Sequence, residues 1–252
     1  MMNNLLNAFA LHDWLLIALG AFIIGLSKAG LKGIEMLNVT LMAIVFGGKA
    51  STGIVLPLLC TADVLAVIYY RRHVQWPLFW KVVPWMMIGI LAGVWLGKDL
   101  NEGLFRKVMA IIIIFTVGLM LLLEWRRNLD VPNNPVFTGG MGLVAGFTTM
   151  LGNLGGAFSN VYFLAMQVPK NEFIGTAAWV FLAMNFFKLP FQIFYWNNVS
   201  GATVLTGLLV LPALLAGFFV GLRLVSVIRD EGFRKLVIVL TLIGAVFIFL
   251  KR

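Results

Sequence analysis

Apolar residues run along this chain in long continuous blocks, not in the strict alternation of a half-buried strand. The blocks fall at about 12–26, 33–46, 51–70, 78–97 and 104–124 in the first half, and at about 136–150, 156–168, 172–194, 202–222 and 232–250 in the second. Each reads as a helix. Five approach the roughly 20 residues that cross a bilayer, and 172–194 is slightly longer. The remaining four are short and form two adjacent pairs, one opening each half. A short pair joined by glycines is either two steep crossings or a re-entrant hairpin. Irregular backbone at membrane depth is tolerated only inside protein or beside a wet cavity, which favours the hairpin.

The punctuation between blocks repeats. Pro84-x4-Gly89-x3-Gly93 returns as Pro212-x4-Gly217-x3-Gly221. A polar turn follows each: Glu102-Gly103 with Arg106-Lys107, then Glu231-Gly232 with Arg234-Lys235. Each half also opens with a glycine-broken stretch, Gly25 to Gly33 and Gly146 to Gly156. The organisation expected is a first repeat at 1–124, a linker at 125–135 and a second repeat at 136–252, within a single transmembrane domain. Each repeat holds a short broken-helix pair followed by three transmembrane helices. An odd number of net passages per repeat inverts the second relative to the first and leaves both termini on one side. Duplicated units with short, interrupted segments at matching positions mark secondary transporters.

Composition bounds the setting. Hydrophobic residues make up 61% of the chain and charged residues 12%, about half the roughly 25% of soluble domains. Mean hydropathy is +0.99. Such a chain is an all-α integral membrane protein, because a barrel would show alternating rather than continuous apolar runs. The longest polar stretch, Glu124–Pro135, leaves no room for a soluble domain, and no cleavable leader is read at 1–13. The net charge of +9 does not indicate nucleic acid, since the basic residues lie between apolar blocks as in cytoplasmic loops. Cys60, the single cysteine, has neither a disulfide partner nor companions for a metal or catalytic thiol.

The same charges orient the chain. Lys49, Lys98, Arg106, Lys107, Lys251 and Arg252 fall on the side of the termini. The larger group on the other side includes Arg71, Arg72, Lys81, Arg126, Arg127, Lys170, Arg223 and Arg229. The positive-inside rule then puts the termini outside.

Candidate chemistry concentrates at the two breaks. The first reads Gly25-Leu-Ser27-Lys28-Ala-Gly30-Leu-Lys32-Gly33. Glycines let backbone unwind and approach a ligand, unwinding frees amide N–H groups, and the next helix presents its positive end. Two lysines and a serine complete an anion site; a cytoplasmic loop obeying the positive-inside rule would carry the same lysines. The second break, Gly146-Phe-Thr148-Thr149-Met-Leu-Gly152-Asn153-Leu-Gly155-Gly156, has hydroxyls, an amide and bare backbone but no charge. That suits neutral hydrogen bonding to an oxyanion, or simply close helix packing by small residues. Ser159 and Asn160 follow one turn on.

Ionisable groups within apolar blocks are functional candidates. Asp63 lies mid-block, and Asn185 is its counterpart, ten residues after Gly175 as Asp63 is after Gly53. Lys188 follows one turn later. The structural alternatives are an Asp63–lysine ion pair that fixes packing and a Lys188 that snorkels to the surface. Glu35 is read as neutralising Lys28 or Lys32. Arg71-Arg72-His73 and the tryptophans near block ends read as interfacial anchors. No metal spacing, Walker loop, nucleophile elbow or dinucleotide fingerprint is present, so uphill transport would draw on an ion gradient.

These residues, taken in order, resemble the sulfite exporter TauE/SafE family. The likeness rests on Gly25-Leu-Ser-Lys-Ala-Gly, Leu56-Pro-Leu-Leu-Cys-Thr-Ala-Asp63, Tyr70-Arg-Arg-His and Pro84 in the first half. In the second half it rests on Gly146-Phe-Thr-Thr, Asn153-Leu-Gly-Gly, Phe173-Ile-Gly-Thr176, Asn185-Phe-Phe-Lys188-Leu-Pro190 and Leu211-Pro212. It covers roughly 12–250. The resemblance implies a multi-pass carrier of sulfur-containing anions such as sulfite, thiosulfate and organosulfonates in the bacterial inner membrane. Three departures fall where a substrate would sit: Leu31-Lys32 interrupts a glycine run, Asn153 stands where relatives often carry histidine, and Ala157-Phe158 replace prolines.

The expectation is therefore a secondary transporter for a small anion, with no enzyme activity, cofactor, metal or nucleic-acid partner, working among membrane lipids with a proton as candidate co-substrate. Substrate would be held by Ser27, Lys28, Gly30, Lys32 and Gly33 from the first break and by Thr148, Thr149, Asn153, Gly155 and Gly156 from the second. Asp63, Asn185 and Lys188 would couple or gate. The competing expectation is a non-transporting membrane assembly partner of a respiratory or sulfur-processing complex.

Overall fold

The computed structural model describes residues 9–101 and 135–229, with parts of 103–118 and 232–243. All regular elements among them are helical. They are α1 (Leu11–Lys28), α2 (Glu35–Phe46), α3 (Gly48–Tyr70), α4 (Trp76–Lys98), α5 (Pro135–Gly152), α6 (Gly155–Ala165), α7 (Lys170–Pro190), α8 (Gly201–Leu209) and α9 (Leu211–Ser226). The sequence blocks at 104–124 and 232–250 lie largely outside the described residues; where described, they are helical. Four helices, α1, α3, α4 and α7, are long and apolar enough to cross a membrane, and the α8–α9 pair makes a fifth candidate. Their outer faces carry bare hydrophobics such as Trp95, Leu96, Ile68 and Phe219, as a lipid-facing surface does.

One expected helix is broken. The block 202–222 divides at Val210 with a bend of 52°. Pro212 sits in the first turn of α9, where its missing N–H is harmless. Its sequence counterpart Pro84 lies inside an unbroken α4. The same punctuation thus yields two different backbones.

The packing explains most of the glycine pattern. α1 runs beside α9 in the same direction, and α5 runs beside α4 in the same way. A Cβ on Gly25 would lie 2.1 Å from the Leu214 carbonyl oxygen, and one on Gly217 would lie 2.0 Å from that of Phe22. In the other pair, a Cβ on Gly146 would lie 2.0 Å from the Met86 oxygen, and one on Gly89 would lie 2.1 Å from that of Leu143. These are matching positions of the two halves making matching contacts. Each joins a helix of one half to a helix of the other, so neither half packs alone. Gly25 and Gly146, which open the two breaks read from sequence, are helical residues that let backbones touch, the close packing that sequence left as the alternative for the second break.

Two lysines repeat the correspondence. Lys49 donates to the main-chain oxygens of Lys98 and Leu100 at the end of α4. Lys170 donates to those of Val225 and Ile228 at the end of α9, at 3.3 and 2.5 Å. Both ammoniums satisfy carbonyls that a helix C-terminus leaves unpaired.

Finally, α3 and α7 pack antiparallel across the centre: Thr52 meets Gln192, Asp63 meets Asn185, and the Gln75 amide reaches Thr176. Pro190 has no N–H to give, and the helix beyond it widens into a π turn over Phe191–Tyr195 that carries Gln192.

Candidate functional site

Two polar stripes face each other on α3 and α7. On α7, Phe181, Asn185 and Lys188 recur at helical spacing, and Gln192 continues the line into the π turn. On α3 the facing residues are Thr52 and Asp63. The two breaks close on this seam from either side.

At the first break α1 ends with Lys28, and the chain turns on Gly30 and Gly33, with φ of 125° and 97°. Those values belong to glycine. The turn is closed on itself. The N–H groups of Ala29, Gly30, Leu31 and Lys32 all bond to nearby carbonyls, and that of Gly33 donates to Glu35 Oε2 at 2.6 Å. The backbone does leave the helix here, as sequence expected, but its amides are already engaged rather than free, and the break's chemistry comes from its side chains. Lys28 places its ammonium 2.5 Å from Asp63 Oδ1 and 4.7 Å from the centre of the Phe181 ring. Asn185 donates to the other carboxylate oxygen at 2.5 Å. The expected counterparts Asp63 and Asn185 therefore touch, and the Asp63–lysine pair that sequence left as one alternative is formed. Lys32 is buried, 6.0 Å from the centre of the same ring.

The second break turns on a different residue. α5 ends at Gly152, and Asn153 takes φ of 57°, a left-handed conformation that asparagine tolerates better than most residues. Its carboxamide oxygen accepts from Lys188 at 2.6 Å, while its amide nitrogen donates to the Thr52 carbonyl at 3.2 Å. Lys188 also donates to Thr149 through the carbonyl, at 3.1 Å, and the hydroxyl, at 3.3 Å. It is 1% exposed, so it does not snorkel. Thr148 is buried with its hydroxyl turned back to the Ala145 carbonyl of its own helix. Gly155 and Gly156 open α6. Gly155 packs against Thr149, and a Cβ on Gly156 would lie 2.4 Å from Glu35 Oε1.

Glu35 joins the two breaks. It accepts from the Ser27 hydroxyl at 3.1 Å and from the Asn160 amide at 3.1 Å. Sequence reading gave it only the task of neutralising a lysine, although an acid directly after a buried break was the available signal. Thr52, Phe181 and Gln192 were missed because nothing in the order of residues tells which helix lies opposite. Of the expected site residues, Lys28, Asp63 and Asn185 form one cluster; Lys188, Thr149 and Asn153 form a second; Ser27 and Gly33 converge on Glu35. Among the described residues no group of His, Cys, Asp or Glu could hold a metal ion.

The charge balance is uneven. Among the described residues the buried charged side chains are Lys28, Lys32, Lys188 and Asp63, with Glu35 half-buried beside them. Burying ammoniums in excess of carboxylates is costly unless further negative charge reaches them.

A family model described as sulfite exporter TauE/SafE matches residues 16–248, nearly the whole chain. No curated protein and no solved structure matches. The span of that match, with the apolar helices described above, makes the chain a multi-pass membrane protein of the sulfite exporter TauE/SafE family, a family of anion transporters.

Proposed function

We propose that this protein is a secondary transporter that carries a small anion, a sulfur oxyanion or an organosulfonate, across the bacterial inner membrane. The observation that carries this reading is the excess of buried lysines over buried carboxylates where the two helix breaks converge. An anion arriving at Lys188 replaces a neutral oxygen acceptor by a charged one, which strengthens the bond and balances the ammonium. Thr149 and Asn153 already surround that ammonium and orient it.

The two halves, 1–124 and 136–252 joined by 125–135, act in this reading as inverted repeats. The antiparallel contact between α3 and its counterpart α7 supports it, since a twofold axis in the membrane plane reverses one copy against the other. So do the matched glycine contacts and the matched lysine bonds at the ends of α4 and α9. Rocking one set of helices against the other about the α3–α7 seam would open the site to each side in turn.

The test is flux in proteoliposomes with labelled sulfite, thiosulfate and a small sulfonate. Wild-type protein moves at least one of them, and Lys188→Gln reduces that flux to background while eluting as a folded species. Full flux in the variant refutes the role of Lys188. Absence of flux with every anion refutes the carrier reading.

A further inference from the structure

Resting on the carrier reading above, we infer that the central site is built for an anion bearing a single negative charge, and that Asp63 is the residue that sets this limit. The count begins with Lys28. Its ammonium is held at 2.5 Å by Asp63 and lies against the Phe181 ring, so it is engaged on two sides. Asn185 fixes the carboxylate from behind. That pair is neutral as a unit. An incoming anion at Lys28 would exchange one carboxylate for another charge and leave Asp63 buried without its partner, with no net gain.

Lys32 and Glu35 bracket the first break, the one ammonium and the one carboxylate left there. They cancel in the count, although Glu35 spends its oxygens on Ser27, Gly33 and Asn160. Lys188 then remains. Its neighbours within bonding distance are the Thr149 carbonyl, the Thr149 hydroxyl and the Asn153 carboxamide, all neutral. The described interior thus holds one surplus positive charge, and it sits at Lys188. One negative charge on the substrate balances it. A second would stand in a low-dielectric interior facing Asp63, where an unbalanced unit charge weakens binding by about tenfold or more.

Asp63→Asn should shift the count by one. It keeps the shape of the side chain, frees Lys28 from its counter-charge and raises the surplus to two.

The experiment measures binding of two sets of anions to the purified full-length chain by calorimetry at neutral pH. Methanesulfonate and a hydroxyalkylsulfonate serve as monoanions; sulfate and ethane-disulfonate serve as dianions. The expected result is that the wild type prefers the monoanions by at least about tenfold, and that Asp63→Asn moves the ratio towards the dianions by a similar factor. A wild type that binds both sets equally, or prefers dianions, overturns the inference while leaving the carrier reading intact. So does an Asp63→Asn protein that binds anions with an unaltered ratio. Should that variant not fold, the wild-type ratio decides alone. Failure of the wild type to bind any anion, sulfite and thiosulfate included, overturns this inference and the carrier reading together.

Discussion

At the first break the chain turns on Gly30 and Gly33 and surrounds the turn with Lys28, Lys32 and Glu35. At the second it turns on Asn153 and supplies two threonines and an amide. The helices on either side pack alike in both halves, down to which carbonyl each glycine approaches. What differs is the fate of the nearby lysine. Lys28 meets a carboxylate, whereas the bonding partners of Lys188 among the described residues are neutral oxygens. The glycine contacts match while the chemistry does not. In the proposed function the compensated charge holds helices together and the uncompensated one meets the substrate.

The largest effect should come from the shared frame. Gly146→Val would drive a side chain into the Met86 carbonyl, where even a Cβ would be 2.0 Å away. Gly25→Val would do the same at Leu214, at 2.1 Å. Backbone cannot yield as a side-chain tip does, so both variants should fail to give monodisperse protein in detergent. Recovery of one but not the other would break the equivalence of the halves.

Next in size is the contrast between the lysines. Asp63→Ala leaves the Lys28 ammonium buried without its counter-charge and should cost about 3–5 kcal/mol. Lys188→Met removes a charge that had no carboxylate to lose, and its stability loss should be clearly smaller. Thermal denaturation midpoints of the two variants in the same detergent check this. Equal losses would mean that Lys188 is as firmly compensated as Lys28.

The smallest effect concerns the turns. Asn153→Gly gives up the charge-assisted bond from Lys188, worth about 2 kcal/mol, and the bond to the Thr52 carbonyl, but keeps the left-handed backbone easy. Asn153→Ala loses the same two bonds and adds roughly 1 kcal/mol of backbone strain. The alanine variant should therefore melt below the glycine variant. The reverse order would show that φ at this position is not what the break depends on.

Much of the frame was legible beforehand because its causes are local. Continuous apolar blocks, with glycine and proline between them, located the described helices to within a few residues, α8 and α9 being read as one block. The repeated Pro-Gly-Gly spacing picked out α4 and the 202–222 block as equivalents, though not the bend at Val210. The site was legible only as a set of candidates. Spacing on one helix showed that Asn185 and Lys188 share a face, and gap counting matched Asp63 to Asn185. Neither could say that Asp63 would take Lys28 and leave Lys188 to Thr149 and Asn153. That choice is made by which helices cross, and crossing is decided by Gly25, Gly89, Gly146 and Gly217. Their contacts are long-range, and the order of residues does not tell which backbone each glycine meets.

Gly156 stands ten residues after Gly146, as Glu35 stands ten after Gly25, so the two occupy the same place in the two copies. They also meet, with the Glu35 carboxylate filling the space a side chain at Gly156 would need. A glutamate at both positions would bring two acids into the same space. The packing therefore takes that acid at one of the two positions only, and the small residue at the other is what makes room for it.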